Sequence, residues 1–246
     1  MPSQFRLFDL HHLVIIALVP LLAAFLTWWS RKSDPIAKQV RIGLASLILA
    51  DTLIWYAYYL NQGWFTFPYS LPLQLCDITL WLTVYTLFTR SSRIFQLIYY
   101  WGLAGTTMAV LTPDVSTPPL SWLTLQFFVA HGGLLVGILF LTWRKILVPV
   151  KGSYWKAWLW LHGYAAAIAS FNYVFGTNYF YLCEKPTEIS LLEFMGPWPI
   201  YILVADLLAF ILFWLLWLPF RKRDVKPTSA SSLPNGRNSH GRDSSK

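Results

Sequence analysis

A short run of polar side chains opens an apolar segment at Leu71-Pro-Leu-Gln-Leu-Cys-Asp77. It places the amide of Gln74, the thiol of Cys76 and the carboxylate of Asp77 next to one another in the chain. Such groups are costly in hydrocarbon and are retained mainly where they face a partner or a cavity. A thiol becomes a strong nucleophile when a neighbouring group takes its proton. Cys76 is therefore a candidate nucleophile, and Gln74 and Asp77 are candidate substrate-binding residues.

His131 is the candidate base for this thiol. It lies within a later apolar segment and is followed by Gly132 and Gly133, where the backbone could approach a ligand closely. A neutral imidazole can accept a proton and later return it. Gln126 and Asn172, in apolar segments of their own, are candidates for substrate binding and, with the backbone near Gly132, for holding an oxyanion.

Structural interpretations of the same residues remain open. A free cysteine usually packs as a small hydrophobe, and Cys76 could instead pair with Cys183 in a disulfide. His131 could be a hydrogen-bonded core histidine. We expect His11 and His12, at the start of the first apolar segment, to be solvated. The two cysteines have no metal-site spacing, and no Gly-rich phosphate loop is present, so we expect neither metal nor cofactor.

The composition is typical of a membrane protein. Of 246 residues, 56% are hydrophobic and 12% are charged, where a soluble domain averages about a quarter charged residues. The 14 tryptophans and 13 tyrosines suit two lipid–water interfaces. The net charge of +8 comes largely from bases between apolar segments, which indicates orientation signals and no nucleic-acid partner.

Seven apolar segments approach the ~20 residues that a spanning helix needs. They are Leu10–Trp29, Ile42–Leu60, Leu71–Thr89, Ile94–Leu111, Trp122–Trp143, Trp158–Gly176 and Pro199–Phe220. The basic residues concentrate on every second connection, which places the N-terminus outside and the C-terminus in the cytoplasm. Residues 1–226 are predicted to form this seven-helix domain, and 227–246, rich in Ser, Pro, Asn and Gly, a disordered cytoplasmic tail.

This topology brings the candidate nucleophile and base to a similar depth. The third and fifth helices enter the membrane from the same side. Cys76 lies about five residues into one and His131 about nine into the other, so their depths differ by only ~6 Å at ~1.5 Å per residue. Asp51 is expected near mid-membrane, Asp206 in the outer half and His162 toward the cytoplasm. We therefore expect Cys76 and His131 to face one internal cavity.

An ordered set of motifs resembles the YwaF and transmembrane protein 164 family of integral membrane proteins. The resemblance covers all seven predicted helices and stops before the tail. The motifs are Leu71-Pro-Leu-Gln-Leu-Cys76, Trp101-Gly-Leu-Ala-Gly105, Leu111-Thr-Pro-Asp114, Phe127-Phe-Val-Ala-His-Gly-Gly133, Asn172-Tyr173, Asn178-Tyr179-Phe-Tyr-Leu182 and Gly196-Pro-Trp-Pro199.

The resemblance implies a phospholipid acyltransferase with a nucleophilic cysteine at Cys76. A related group, the androgen-induced fatty-ester hydrolases, uses a threonine and a histidine, and that histidine would match His131. Asn178 and Trp198 lie within the shared motifs and join the predicted substrate-binding residues. The chain carries Gln74 where many family members have a histidine.

The sequence thus predicts an all-α, multi-pass membrane protein with seven transmembrane helices. The predicted function is that of a lipid acyltransferase, or acyl-ester hydrolase, working on phospholipids through an acyl-cysteine intermediate. Membrane lipids are the expected substrates, and the location is an integral membrane one, the cell membrane for a bacterial chain. The alternative is a receptor or transporter that binds a small ligand in the same outer polar cavity without chemistry.

Overall fold

The computed structural model describes residues 5–115, 117–186 and 191–221. Within these ranges the chain is helical and contains no strand. The long helices are α1 (Leu10–Ser30), α2 (Asp34–Asn61), α3 (Leu75–Thr89), α4 (Ser92–Leu111), α5 (Trp122–Trp143), α6 (Ser153–Phe175) and α7 (Ile200–Trp217). The tail predicted at 227–246 lies outside the described residues.

Polar side chains set the starts of four of these helices. Each accepts a hydrogen bond from a backbone N–H of the first turn, which would otherwise lack a partner. These capping residues are Asp9, Ser33, Ser91 and Ser121. Helix α6 ends at Gly176, whose φ of +64° is a left-handed conformation that glycine adopts without strain.

Helix α3 begins four residues later than the sequence predicted, at Leu75 instead of near Leu71. Tertiary hydrogen bonds hold the preceding residues out of the helix. The N–H of Leu71 donates to the Tyr179 hydroxyl at 2.7 Å, and the Tyr164 hydroxyl donates to the carbonyl of Leu73 at 2.7 Å. The side chain of Asp77 then caps α3 by accepting from the N–H of Gln74 at 3.1 Å. Cys76 consequently lies in the first turn of α3.

The start of α3 lies inside the bundle. Tyr164 precedes the end of α6 at Phe175 by eleven residues, or ~16 Å along the helix. Its hydrogen bond to Leu73 brings the non-helical chain before α3 to that depth. Such backbone is tolerated at membrane depth where protein surrounds it or where it lines a cavity. Because the chain before Leu75 is not helical, α3 has only 15 residues.

Helix α5 is the central helix and packs against α1, α2, α3 and α4. Its glycines make these contacts close. A Cβ atom on Gly132 would lie 3.3 Å from Val19 of α1, and one on Gly133 would lie 3.2 Å from Ile48 of α2. Neighbouring helices, and not the predicted ligand, therefore contact the backbone at these two glycines. Helix α7 packs on α6 and α4 at the periphery.

Helix α4 contains a π-helical turn at Gly102–Thr106. A Cβ atom on Gly102 would collide with the Cδ1 atom of Ile138, so α4 packs closely against α5 at this glycine. Gly105 has more room, with Leu75 3.7 Å from the corresponding position. The π turn thus combines a tight contact on one side with open space on another.

Side-chain contacts join alternate connections at one end of the bundle. Arg144 forms an ion pair of 3.0 Å with Asp34, which links the α5–α6 connection to the start of α2. Arg41 donates to the carbonyls of Leu87 and, at 2.8 Å, of Phe88 at the end of α3. The α1–α2, α3–α4 and α5–α6 connections therefore lie at the same end.

His12 lies near the other end and is buried, contrary to the prediction that it is solvated. Its Nε2–H donates to the carbonyl of Val110 at 2.8 Å, and its Nδ1 accepts from the N–H of Phe8 at 2.9 Å. The aromatic rings of Phe5 and Phe128 cover it. The sequence could not show this because the bond to Val110 joins residues far apart in the chain.

Five helices of the described chain, α1, α2, α4, α5 and α7, are long and apolar enough to cross a membrane. Helix α3 is apolar but shorter. Helix α6 has 23 residues but is not among these candidate spans because polar residues such as Lys156, His162 and Asn172 lower its hydropathy. The seven predicted helices are therefore present, and five of them meet the criterion for a span.

Candidate functional site

Cys76 and His131 line the same two cavities. The first, which we call the α2 cavity, has a volume of about 180 Å³ and lies between α2, α3 and α5. The second, the central cavity, has a volume of about 400 Å³ and is bounded by α3, α4, α5 and the chain around Tyr181. Phe127 is common to both cavities. Cys76 and His131 therefore line common cavities, as the helix depths predicted, and their catalytic roles stay a prediction.

Cys76 carries a free, partly buried thiol in the first turn of α3. Cys183, the alternative disulfide partner, is also free and is exposed. Its sulfur lies 3.7 Å from the carbonyl oxygen of Thr177. The disulfide that the sequence left open is therefore not formed, and the Cys76 thiol remains available for chemistry.

A backbone hydrogen bond fixes the tautomer of His131. Its Nδ1 lies 2.8 Å from the carbonyl oxygen of Phe127, four residues earlier. Because a carbonyl oxygen only accepts, Nδ1 carries the proton, and in the neutral ring Nε2 keeps its lone pair. The ring also stacks on Phe127, with centroids 4.0 Å apart and planes at 23°. These contacts orient an imidazole whose Nε2 is free to accept a proton.

A buried polar pair lies beside the α2 cavity. The amide nitrogen of Gln126 donates to Asp51 at 3.1 Å, and Asp51 is only 9% exposed. Gln126 and Asp77 both line the α2 cavity. The carboxylate of Asp77 accepts from Gln74 N–H as the cap of α3, so it supports the turn that carries Cys76. These positions place both predicted binding residues beside the thiol.

Gln74 and Asn172 form hydrogen bonds with the chain that follows α6. Gln74 lines the central cavity, and its side-chain oxygen accepts from the N–H of Phe180 at 2.9 Å. Asn172 is 2% exposed; it donates to the carbonyl of Tyr179 and accepts from the N–H of Tyr179 and the hydroxyl of Thr177. Asn172 therefore holds this wall in place from behind and lines neither the α2 cavity nor the central cavity.

The polar groups of Asn178 and Trp198 bind other backbone. Asn178 accepts from the N–H groups of Cys183 and Glu184, and the indole N–H of Trp198 donates to the carbonyl of Leu182. Neither residue lines these cavities in the described structure. The structure thus does not bring them together with Cys76 and His131, and their substrate-binding role stays a prediction.

The central cavity also contains polar residues that the sequence did not single out, namely Thr106, Asp114 and Tyr181. Tyr181 and its neighbour Phe180 have φ of 50° and 61°, a left-handed conformation that such residues rarely adopt. Burial raises the pKa of Tyr181, and the nearby Asp114 carboxylate raises it further, so the phenol stays protonated and able to donate. In the sequence, Asp114 was indicated only as part of the motif Leu111-Thr-Pro-Asp114.

A larger, mainly apolar cavity of about 560 Å³ adjoins the central one between α4, α6 and α7. Leu75, Trp101, Gly105 and Phe180 are among the residues that line both. We call it the apolar cavity.

His162 and Asp206 meet on the wall of the apolar cavity, with Nε2 and Oδ2 3.4 Å apart, although the sequence placed them at different depths. Trp158 completes this cluster by donating its indole N–H to Asp206 at 2.9 Å. No group of three or more His, Cys, Asp and Glu side chains suited to a metal ion occurs among the described residues.

These features define a helical membrane protein with a thiol and an oriented imidazole on the walls of the same two cavities. The chain belongs to the TMEM164 family, whose pattern matches residues 7–217. This match confirms the family resemblance inferred from the motifs. The sequence matches no curated protein and no solved structure.

Proposed function

We propose that the protein is a membrane-embedded lipid acyltransferase, or acyl-ester hydrolase, that works through an acyl-Cys76 intermediate. The observation that carries this proposal is that Cys76 and His131 line the same two cavities while the Phe127 carbonyl holds the imidazole proton on Nδ1. A thiol needs a base to become a nucleophile, and the free Nε2 of His131 meets that requirement.

In the first half-reaction, the Cys76 sulfur attacks the carbonyl carbon of a lipid ester while its proton passes to Nε2 of His131. The resulting tetrahedral oxyanion collapses and the carbon–oxygen ester bond breaks. The leaving alkoxide takes the proton back from Nε2 and departs as a lysolipid. The acyl group remains on Cys76 as a thioester, and His131 is neutral again.

In the second half-reaction, a hydroxyl group attacks the thioester carbon and gives its proton to Nε2 of His131. The carbon–sulfur bond then breaks, and the sulfur recovers its proton from the imidazole. A lysolipid hydroxyl as the attacking group makes the reaction a transfer, whereas water makes it a hydrolysis. Neither half-reaction uses a metal ion or a redox cofactor.

The surroundings of the thiol suit a hydrocarbon chain. The central cavity adjoins the apolar cavity of about 560 Å³, and Gly105 lines both. Burial of apolar chain there contributes ~0.8 kcal/mol per CH₂ group, which favours an acyl donor over a small polar ester. An acyl group on Cys76 would place its carbonyl in the central cavity and its chain in the apolar one.

We further propose that all seven helices cross the membrane, with the N-terminus outside and the C-terminus in the cytoplasm. The α1–α2, α3–α4 and α5–α6 connections, which meet at one end of the bundle, and the N-terminal parts of the helices that follow them carry ten of the 19 basic residues. Positive connections face the cytoplasm. A cytoplasm-dependent reporter fused after Phe220 is expected to be active and one inserted after Tyr69 silent. The opposite result would reverse the orientation.

The activity is tested with purified protein in nanodiscs that contain a phospholipid with an alkyne-tagged acyl chain. We expect a hydroxylamine-sensitive label on Cys76, located by mass spectrometry. Cys76→Ala removes the label, and His131→Ala slows labelling by about 10²–10⁴-fold. Cys183→Ala is the matched control and keeps the wild-type rate, because Cys183 is exposed and lies outside the three cavities.

Wild-type protein that stays unlabelled, or a label that survives in Cys76→Ala, would contradict the acyl-cysteine mechanism. Saturable, reversible binding of a small ligand by an unlabelled protein would favour the receptor or transporter instead. The fate of the label decides between the two enzymatic forms. Its movement to an added lysolipid indicates transfer, and its release as free fatty acid indicates hydrolysis.

A further inference from the structure

We propose that the hydroxyl of Thr106 stabilises the oxyanion that forms when Cys76 attacks a lipid ester. This inference rests on the proposed acyl-cysteine function and adds a residue that neither the motifs nor the polar pattern of the sequence indicated. Thr106 lines the central cavity together with Cys76 and His131. It is the last residue of the π-helical turn in α4.

The hydroxyl of Thr106 is buried and unpaired. Thr106 is 2% exposed, and its Oγ1 has no hydrogen-bond partner among the described residues. A buried hydroxyl without a partner is uncommon in folded proteins and calls for an explanation. Thr27 is also unpaired, but it lies in α1 and lines none of the three cavities described.

Other threonines of the bundle show which hydrogen bond a helical threonine hydroxyl normally forms. Seven of them donate to the carbonyl four residues earlier, at 2.6–2.9 Å: Thr52, Thr79, Thr83, Thr86, Thr89, Thr112 and Thr142. In a π turn the backbone bonds run to the fifth preceding residue. The Thr106 hydroxyl, at the end of such a turn, makes no bond of this kind.

Three polar side chains that the sequence predicted for this site already donate hydrogen bonds. The amide nitrogen of Gln126 donates to Asp51, and that of Asn172 donates to the carbonyl of Tyr179. His131 uses Nδ1–H for the Phe127 carbonyl and needs Nε2 for the proton of Cys76. A tetrahedral oxyanion requires a donor held in place before the reaction. Thr106 supplies one without breaking an existing hydrogen bond.

The test compares single-turnover acylation of Cys76 by the alkyne-tagged phospholipid in four proteins. Thr106→Val is expected to lower the rate constant by about 10²–10³-fold, the usual cost of one oxyanion donor, with little change in half-saturation. Thr106→Ser keeps a hydroxyl and is expected to stay near the wild-type rate. Thr83→Val is the matched control, because this buried hydroxyl is bound within α3 away from the three cavities.

Alkylation of Cys76 by iodoacetamide separates chemistry from packing, since that reaction uses the thiol but forms no oxyanion. We expect Thr106→Val to be alkylated at the wild-type rate and to keep its thermal stability. Equal acylation of wild type and Thr106→Val, or equal losses in acylation and alkylation, would overturn the role of Thr106. A wild-type protein that is alkylated but never acylated would instead overturn the proposed function and, with it, this inference.

Discussion

The hydroxyl of Tyr164 donates a hydrogen bond of 2.7 Å to the carbonyl oxygen of Leu73, and this contact holds the entry of α3 inside the bundle. It joins the middle of α6 to the last extended residues before the helix that carries Cys76. The carbonyl of Leu73 would otherwise lack a helical partner at this depth, where an unsatisfied group is costly. The position of the thiol therefore depends on a tyrosine 88 residues away, which lines none of the three cavities.

Replacing Tyr164 with phenylalanine is expected to lower the free energy of unfolding by about 1–3 kcal/mol, because the Leu73 carbonyl loses its partner. Acylation of Cys76 is expected to slow as well. The measurements are unfolding in mixed micelles and labelling by the alkyne-tagged lipid. Tyr173→Phe is the control, since Tyr173 is 92% exposed. Equal stability of the two variants would show that this hydrogen bond does not hold the chain before α3 in place.

Asn172→Ala tests whether Asn172 acts on structure or on substrate. Its amide makes three hydrogen bonds to residues 177 and 179, and Tyr179 in turn binds Pro68 and Leu71. We expect a loss of about 2–4 kcal/mol and faster hydrogen exchange at the Leu71 amide. The exposed Asn61→Ala serves as control. Unchanged stability with weaker lipid binding would support the substrate-binding role predicted from the sequence.

Two glycines in the π turn should respond differently to alanine. Gly102→Ala is expected to destabilise the protein by about 1–3 kcal/mol, because the new Cβ atom would displace the end of the buried Ile138 side chain. Gly105→Ala has room, with Leu75 at 3.7 Å, and should leave the melting temperature in detergent nearly unchanged. Equal melting temperatures of the two variants would mean that α4 can shift away from α5.

A larger side chain at Gly105 should change the preferred acyl chain. Gly105 lines both the central and the apolar cavity, so the side chain of Gly105→Leu is expected to fill space where the two adjoin. Labelling of Cys76 by a long-chain donor should fall about tenfold or more, while a short-chain donor is retained. Gly105→Ala is the matched control. A parallel loss for both chain lengths would indicate that the acyl chain lies elsewhere.

Local patterns determined much of this protein. The apolar content of the chain predicted all seven long helices, and α5 has the predicted bounds, Trp122–Trp143, because Ser121 caps its start locally. The ordered motifs predicted the family, which residues 7–217 confirm. Cys76 and His131 were candidates from their side-chain chemistry alone, since a thiol and an imidazole in hydrocarbon need a reason to be there.

The tertiary structure decided the entry of α3, the burial of His12 and the pairing of His162 with Asp206. Each depends on partners far apart in the chain: 108 residues between Leu71 and Tyr179, and 98 between His12 and Val110. It also decided that the Thr106 hydroxyl, at the end of the π turn, is buried without a partner. Hydropathy and capping act over one or two helical turns, whereas these features come from the packing of helices against one another.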